Sequence, residues 1–248
     1  MLTRRIPSER FDTLMKQLRQ FGFHSCYYTL FYRISPGQQI APEFAELIDY
    51  DRCSPRVISK KHYLFSGDKR ALQFQKVYLQ RFAEYDKRFY PGDFFELAEY
   101  HSKCQGRVEK AIESGLKAHG IEHEYCLAIE DEFRKGLVGF FWLCSPNKEL
   151  PQADGKLDTL LMQTHKQLVA SHYEELNPWT DAQLLSPSSM TVLKLLADGV
   201  GSNEIAEQLH LSRRGVEYHI DGLKQKLGAS NRIHLVAKAL KLGVLSLY

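Results

Sequence analysis

The C-terminal quarter of the chain contains the stretches LSPSSMTVLKLLADG (185–199), SNEIAEQL (202–209) and LSRRGVEYHI (211–220). Each has a serine near its start (Ser186, Ser202, Ser212), whose side chain can accept the free amide hydrogens of a helix N-terminus. Pro187 follows the first serine, at the helical position where a missing N–H costs nothing, and Gly199 supplies a left-handed stop. The pattern predicts three capped helices, with a short turn at His210-Leu211 before the third.

The predicted third helix has one apolar side and one polar side. Its apolar residues recur at the spacing of a single helical face: Val216, Ile220, Leu223 and Leu227. The residues left available to solvent are Arg213, Arg214, Glu217, Tyr218, Lys224 and Lys226. A helix that keeps its polar side outward, and is held across another helix by a tight turn, suits the major groove of DNA. We therefore expect these six residues to contact bases or phosphates, with Lys224 and Lys226 favouring phosphate.

The charge distribution agrees with this interpretation. Residues 185–248 contain 8 Lys and Arg and 5 Asp and Glu, whereas the chain as a whole has 33 basic and 30 acidic residues. The preceding residues therefore carry 25 of each, and the whole formal excess of +3 lies in the C-terminal segment. This confinement is typical of a phosphate-contacting surface on an otherwise neutral protein.

The segment resembles the LuxR-type DNA-binding domain. The resemblance covers residues 185–245 and is carried by ADGVGSNEIA (197–206), Val216, His219 and KLGASNR (226–232). It implies a bacterial regulator and a four-helix domain that contains a helix-turn-helix. Gly215 stands where the family usually has Thr, and Gly222 where Asn is frequent. Each glycine inside a helix costs about 1 kcal/mol relative to Ala.

A fourth helix is predicted from Asn231 to Leu242, with Ile233, Val236 and Leu240 forming a stripe. In the proteins that the chain resembles, this helix pairs two subunits, which implies a homodimer on a near-palindromic site in double-stranded DNA. The alternative is that the stripe only closes its own bundle.

The residues before 177 alternate helix and strand signals. Helices are predicted at Phe11 to Phe21, Lys69 to Phe89, Gly106 to Ala118 and Asp154 to Leu176, and strands at His24 to Arg33, Val57 to Phe65, Glu122 to Glu130 and Leu137 to Cys144. The expected fold class is α+β: an N-terminal α/β/α sandwich with an antiparallel sheet, followed by the all-α helix-turn-helix domain. The expected boundaries are a sensory domain at 1–176, a linker at 177–184 and the DNA-binding domain at 185–248.

The stretches GLKAHGI (115–121) and GFFWLCS (139–145) are similar to autoinducer-binding domains of quorum-sensing LuxR-type regulators. This resemblance implies a small-molecule ligand held by Tyr63, Tyr85, Phe89, Asp93 and Trp142. Tyr85 fits the family's Tyr, but Arg81 takes the position of its Trp, and Asp93 is followed by Phe94 rather than Pro. These substitutions argue against an acyl-homoserine lactone. Asp93 also fits a helix N-cap, and the four rings also fit a core.

Other functions are less well supported by the sequence. His101 and Cys104, followed by His119 and His123, are ligand types that zinc uses, but the second pair straddles a helix end at Gly120, and we expect no metal site. The chain has no nucleophile elbow, phosphate loop or dinucleotide turn, so we expect no enzyme and no cofactor. Its five cysteines lack a C-x-x-C pair, and no segment resembles a signal peptide or membrane span, so a cytoplasmic location is expected.

The sequence thus predicts a dimeric, sequence-specific transcription regulator controlled by a small molecule. The resemblance also implies a contact with RNA polymerase. The alternative is a regulator that binds DNA without a ligand and uses its N-terminal part for dimerisation or for a protein partner. The signal, the target promoters and the choice between activation and repression stay open.

Overall fold

The computed structural model describes residues 5–34, 46, 48–49, 53–85, 106–134, 136–151, 155–181 and 185–245. The described strands are β1 (Arg5–Ile6), β2 (Ser25–Tyr32), β3 (Tyr63–Ser66), β4 (His123–Glu130) and β5 (Leu137–Ser145). The described helices before residue 182 are α1 (Glu9–Leu18), α2 (Pro55–Ile58), α3 (Lys69–Arg81), α4 (Arg107–Ala118), α5 (Lys156–Leu176) and α6 (Pro178–Asp181). Those after it are α7 (Pro187–Ala197), α8 (Ser202–Gln208), α9 (Arg213–Leu227) and α10 (Arg232–Lys241).

The five strands form one sheet in the order β1-β3-β2-β5-β4. The central pairs are antiparallel, and β2 pairs with β5 along its whole length, from Ser25 opposite Cys144 to Tyr32 opposite Leu137. The short β1 is parallel to β3. The sheet is therefore mixed, whereas the sequence predicts an antiparallel sheet.

Successive residues of a strand point to opposite faces, and this sheet buries both. On one face, Tyr28 of β2 and Phe141 of β5 pack with apolar residues of α1 and α5. On the other face, Tyr27 and Trp142 pack with Phe74 of α3 and with residues of α4. Helices therefore cover both sides of the sheet, which confirms the α+β sandwich.

Two N-terminal elements differ from the prediction. Residues predicted as the start of a strand at Val57 instead form α2, because the Ser54 side chain accepts the Val57 N–H and Pro55 occupies the first turn. Helix α3 ends at Arg81, eight residues before its predicted end at Phe89. The last part of that prediction, from residue 86, lies outside the described residues.

The C-terminal helices follow the prediction closely. Ser186, Ser212 and Asn231 cap α7, α9 and α10 through their side chains. The exception is α8, where Gly201 is the N-cap without a side-chain bond and Ser202 is the first helical residue. Gly199 adopts the predicted left-handed conformation.

The end of α10 is joined to the sheet-containing part by four side chains. Three of them come after the kink of α5 at His172 in sequence, and the fourth belongs to β2. Trp179, 1% exposed, donates its indole N–H to the Leu242 carbonyl at 2.9 Å, and Asn177 donates to the Gly243 carbonyl at 3.1 Å. Tyr173 donates to the same Gly243 oxygen and lies 2.9 Å from the Tyr32 hydroxyl of β2. We call these four side chains (Tyr32, Tyr173, Asn177, Trp179) the clasp.

Two residues of the clasp, Asn177 and Trp179, lie at the start of the predicted linker. Asn177 and Trp179 are buried, and Pro178–Asp181 forms a helical turn, so this part of the chain is packed rather than extended. Residues 182–184 lie outside the described residues. The division into domains at 177 and 185 stays a prediction.

Candidate nucleic-acid interface

Helix α9 is fixed at its start by a side-chain cap and along its length by an apolar face. The Ser212 hydroxyl accepts the Gly215 N–H at 3.0 Å. Residues of the buried face are at most 1% exposed: Val216, Ile220, Leu223 and Leu227. Gly228 ends the helix in the left-handed conformation. The rotation of α9 about its axis is therefore set by burial of this face.

The turn before α9 holds it across α8. The Leu211 N–H donates to the Ala206 carbonyl at 2.9 Å, and His210 adopts a positive φ of 53° in the turn. Ile205 and Ala206 of α8 are buried against the other helices, and the small side chain of Ala206 permits a close crossing. This is the geometry of a helix-turn-helix, in which the second helix presents its outer side to DNA.

Three of the six predicted contact residues are openly accessible. Arg213 and Arg214 are exposed at the N-terminal end of α9, and Tyr218, one turn further, is 77% exposed. Two cations and an aromatic ring therefore share the end of the helix that reading helices direct towards base edges.

Glu217 is engaged by another helix. Its carboxylate accepts a hydrogen bond from the Arg232 guanidinium at the start of α10, and this bond lowers the pKa of Glu217. A contact between Glu217 and a base would have to replace this ion pair. The structure instead places Glu217 as a link between α9 and α10.

The two predicted phosphate contacts lie in the last turn of α9. Lys224 is 2.7 Å from the Asp221 carboxylate, and Lys226 is partly exposed. A surface pair of this kind is worth less than about 1 kcal/mol, so Lys224 can exchange its partner for a phosphate at little cost.

Sequence reasoning missed the side chains that hold α9 in place. Lys238 of α10 donates to the Leu227 and Gly228 carbonyls at 3.0 and 2.9 Å, which satisfies the C-terminal end of α9. Ser189 of α7 lies 3.0 Å from His219 Nδ1. Partners this far along the chain leave no local spacing signal, although Arg232 and His219 belong to the stretches that carry the resemblance.

The stripe predicted on the fourth helix lies largely outside its own bundle. The buried residues of α10 are Leu235 and Ala239, whereas Ile233 is 83% exposed and Val236 and Leu240 are partly exposed. The bundle is therefore closed mainly by Leu235 and Ala239, and of the predicted stripe Leu240 packs against the same core.

Two of the predicted ligand-binding residues come together on the face of the sheet covered by α3 and α4. Tyr63 is 8% exposed and stacks on Tyr27 with ring centroids 5.0 Å apart. Trp142, 3% exposed, belongs to the same cluster and donates its indole N–H to Glu124 at 2.8 Å. Tyr85 is not brought to this cluster, because it is 65% exposed in the turn after α3. Phe89 and Asp93 lie outside the described residues.

Two of the histidines considered as metal ligands, His119 and His123, have other bonding partners. His119 Nδ1 is 2.7 Å from the Gly115 carbonyl, and His123 Nε2 is 2.8 Å from the Lys148 carbonyl. Within the described ranges, no three His, Cys, Asp or Glu side chains are grouped as a metal would need. His101 and Cys104 are not among the described residues. None of the described helices has the length and apolar character needed to span a membrane.

Comparison with known proteins agrees with the geometry of the C-terminal helices. Residues 183–239 match the family "GerE: Bacterial regulatory proteins, luxR family". The oxygen regulatory protein NreC of Staphylococcus aureus (strain JH9) is 32% identical over 132 residues, which cover 48% of this chain and 58% of NreC. The chain thus spans little more than half the length of this relative.

Two solved structures are also similar over most of the chain. The crystal structure of Escherichia coli SdiA in the space group P6522 has a TM-score of 0.43 and 15% identity, and covers 99% of this chain and 94% of that one. SdiA in complex with octanoyl-rac-glycerol has a TM-score of 0.38 and 16% identity, with coverages of 98% and 90%. The matching family consists of regulatory proteins rather than enzymes. Residues 183–239 therefore match the luxR family of bacterial regulatory proteins, and helices α7 to α10 in this segment have the geometry of a helix-turn-helix.

Proposed function

We propose that the chain is a sequence-specific transcription regulator that acts as a dimer in the bacterial cytoplasm. The observation that carries the proposal is the exposure of Arg213, Arg214 and Tyr218 on α9, whose opposite face is fully buried. Because the cations are held on a rigid helix, they can bind phosphates while Tyr218 contacts base edges. A regulator that activates transcription would also contact RNA polymerase.

The dimer is supported by the outward stripe of α10. Ile233, at 83% exposure, has no role in closing the bundle, and Val236 and Leu240 extend the same side of the helix. Pairing two such helices about a two-fold axis removes this apolar surface from water and places two α9 helices for two half-sites.

The N-terminal part is proposed to sense a small molecule in the aromatic cluster between the sheet and helices α3 and α4. The cluster contains Tyr27, Tyr63, Phe74 and Trp142, and a carboxylate, Glu124, lies at its edge. A cluster of this composition suits a ligand with an apolar body and one hydrogen-bond donor, because Glu124 can accept from the ligand as it now accepts from Trp142.

The clasp supplies a route from this cluster to the DNA-binding domain. Tyr27 and Tyr32 belong to the same strand, and the Tyr32 hydroxyl contacts Tyr173, which holds the Gly243 carbonyl after α10. A ligand that shifts β2 would change the position of α10 and hence the spacing of two α9 helices. The free energy for such a shift must come from different affinities of the ligand for the two arrangements.

The experiment has a DNA arm and a ligand arm. Selection from random oligonucleotides should return a sequence with two related half-sites, and no preferred sequence would reject the regulator. Mass spectrometry of natively purified, denatured protein should then reveal a copurifying small molecule. Trp142→Phe should reduce the amount bound, because it removes the indole N–H that orients Glu124 and replaces the largest ring of the cluster with a smaller one.

A second candidate has an N-terminal part that binds a protein and needs no ligand. It is favoured by Phe133, which is 84% exposed at the tip of the β4–β5 hairpin, and by Met162, 46% exposed on α5. Phe133→Ser tests this second candidate. Loss of regulation in cells, with no change in the amount of small molecule that copurifies, would support a protein contact at Phe133. Protein that releases no compound, and whose melting temperature no candidate signal shifts, would also favour this alternative.

A further inference from the structure

Helix α9 contains two glycines, Gly215 in its first turn and Gly222 in its interior, and neither has a positive φ. Glycine weakens a helix relative to alanine, by a factor of about five in the helix equilibrium, because it loses more conformational freedom on folding. Their presence in a helix that is proposed to read DNA therefore calls for a physical reason.

Packing inside the protein does not supply that reason. A Cβ built on Gly222 meets none of the described atoms within 4 Å. One built on Gly215 meets Ser212 Oγ at 3.4 Å and Leu211 Cβ at 3.9 Å, which are ordinary contact distances. Gly115 of α4 is different, because its Cβ would approach the Phe74 ring to 2.9 Å. The fold requires a glycine at 115 and permits side chains at 215 and 222.

Both glycines flank Tyr218 on the outward side of α9. Residues three and four apart lie on one face of a helix, so Gly215 and Gly222 stand one turn before and one turn after Tyr218. A helical side chain leans towards the N-terminus, so a side chain at 222 would cover the turn that carries Tyr218. The 77% exposed ring is consequently flanked on both sides by uncovered backbone.

We propose that Gly215 and Gly222 determine sequence specificity, because they let base edges approach the α9 backbone and bring the Tyr218 ring against a thymine methyl group. Thymine is the base that presents a methyl in the major groove, and an apolar contact with it discriminates thymine from other bases. The proposal rests on the proposed function, since it requires that α9 reads DNA.

The test measures folding and DNA binding on the same variants of the full chain. For Gly222→Ala, the melting temperature should rise while the affinity for the selected duplex falls by about tenfold or more. Binding to a scrambled duplex should not change, because it depends on phosphate contacts. At one position in each half-site, replacing thymine by uracil, which lacks the methyl, should weaken DNA binding by the wild type. The same replacement should leave DNA binding by Tyr218→Ala unchanged.

Gly155→Ala is the control, because Gly155 precedes α5, on the opposite face of the sheet from the aromatic cluster, and its positive φ of 71° is strained by any side chain. It should show the reverse pattern, a lower melting temperature with unchanged affinity for the selected duplex. If Gly222→Ala keeps wild-type affinity for the selected duplex, or if uracil weakens wild type and Tyr218→Ala equally at every position, the inference is wrong while the proposed function stands. If the wild type shows no sequence preference, the proposed function fails and takes the inference with it.

Discussion

Trp179 donates its indole N–H to the Leu242 carbonyl oxygen across 2.9 Å, although 63 residues separate the two in sequence. Leu242 lies at the C-terminal end of α10, where a helix leaves carbonyl oxygens without partners of their own. The sheet-containing part therefore completes the hydrogen bonding of the last helix of the DNA-binding domain. This bond links the position of α10, the proposed dimer helix, to the sheet-containing part, which is the proposed sensor.

Removing this one donor should loosen the two parts from each other. Trp179→Phe keeps most of the ring volume but leaves the buried Leu242 oxygen unpaired, at a cost of about 1 to 3 kcal/mol. We expect a lower melting temperature and faster protease cleavage of the folded protein. Unchanged stability and cleavage would show that the bond does not hold the parts together.

Gly243 provides an independent test of the clasp. Its φ is +65°, and an added Cβ would overlap the Tyr32 and Tyr173 hydroxyls. Gly199→Ala is the control, because Gly199 also has a positive φ of +83° but open space around it. Both substitutions strain the backbone by about 1 kcal/mol, and Gly243→Ala should cost at least about 2 kcal/mol more. Equal losses of stability would contradict the account.

Gly139 of β5 permits the close approach of a buried histidine. A Cβ at this position would lie 2.2 Å from His165 Nδ1, which is 2.8 Å from the Tyr28 hydroxyl. Gly139→Ala should overpack this site. The free energy of unfolding, measured in urea, should fall by about 3 kcal/mol. Gly222→Ala, which meets open space, should instead stabilise it by up to about 1 kcal/mol.

The same histidine makes stability depend on pH. Burial lowers the pKa of His165 from 6.5 to about 4, although Asp131 at 3.6 Å opposes this shift. Between these two values the unfolded chain binds a proton that the folded chain does not. Stability should therefore be complete above pH 6.5 and fall by on the order of 3 kcal/mol as the pH decreases to about 4.

The control for this prediction is His165→Gln, which removes the titrating group. This variant should be less stable at neutral pH, and its stability should decline less between pH 6.5 and 4 than that of the wild type. Parallel declines in the two proteins would assign the pH dependence to other groups.

A charge on the outward stripe of α10 should prevent pairing of two chains. Ile233→Asp would place a carboxylate in an apolar interface, which is costly without a partner, and should weaken the dimer at least about tenfold in sedimentation equilibrium. Gln17→Asp puts the same charge on the exposed side of α1 and should have no effect. A dimer that survives Ile233→Asp uses another surface.

The C-terminal helices could be predicted from sequence because their signals are local. Ser186 with Pro187, and Ser212 before the apolar spacing of α9, need no distant partner to specify a capped helix. Ser54 with Pro55 is the same pair of signals, and it begins α2 where a strand was predicted from the following apolar residues. Ser202 is not the N-cap of α8 that the sequence predicts, because Gly201 adopts the N-cap conformation and Ser202 is the first helical residue.

The residues that orient the reading helix could not be found in the same way. Glu217 belongs with the exposed residues by helical spacing, and only the fold brings it to Arg232, 15 residues away. The outward side of α10 was also ambiguous, because Ile233 and Leu235 are both apolar and the choice of buried face depends on how α10 packs on α9. Local patterns define which helices form, whereas packing decides which polar groups are free to bind.

The most direct test of the account is a salt titration of DNA binding with Arg213 and Arg214 replaced by alanine. On the selected duplex, the double variant should bind more weakly than the wild type. Its plot of log affinity against log salt concentration should be shallower by about 2, because two phosphate contacts and the counterions they release are lost. Wild-type affinity together with a wild-type slope would contradict the claim that the exposed end of α9 binds DNA.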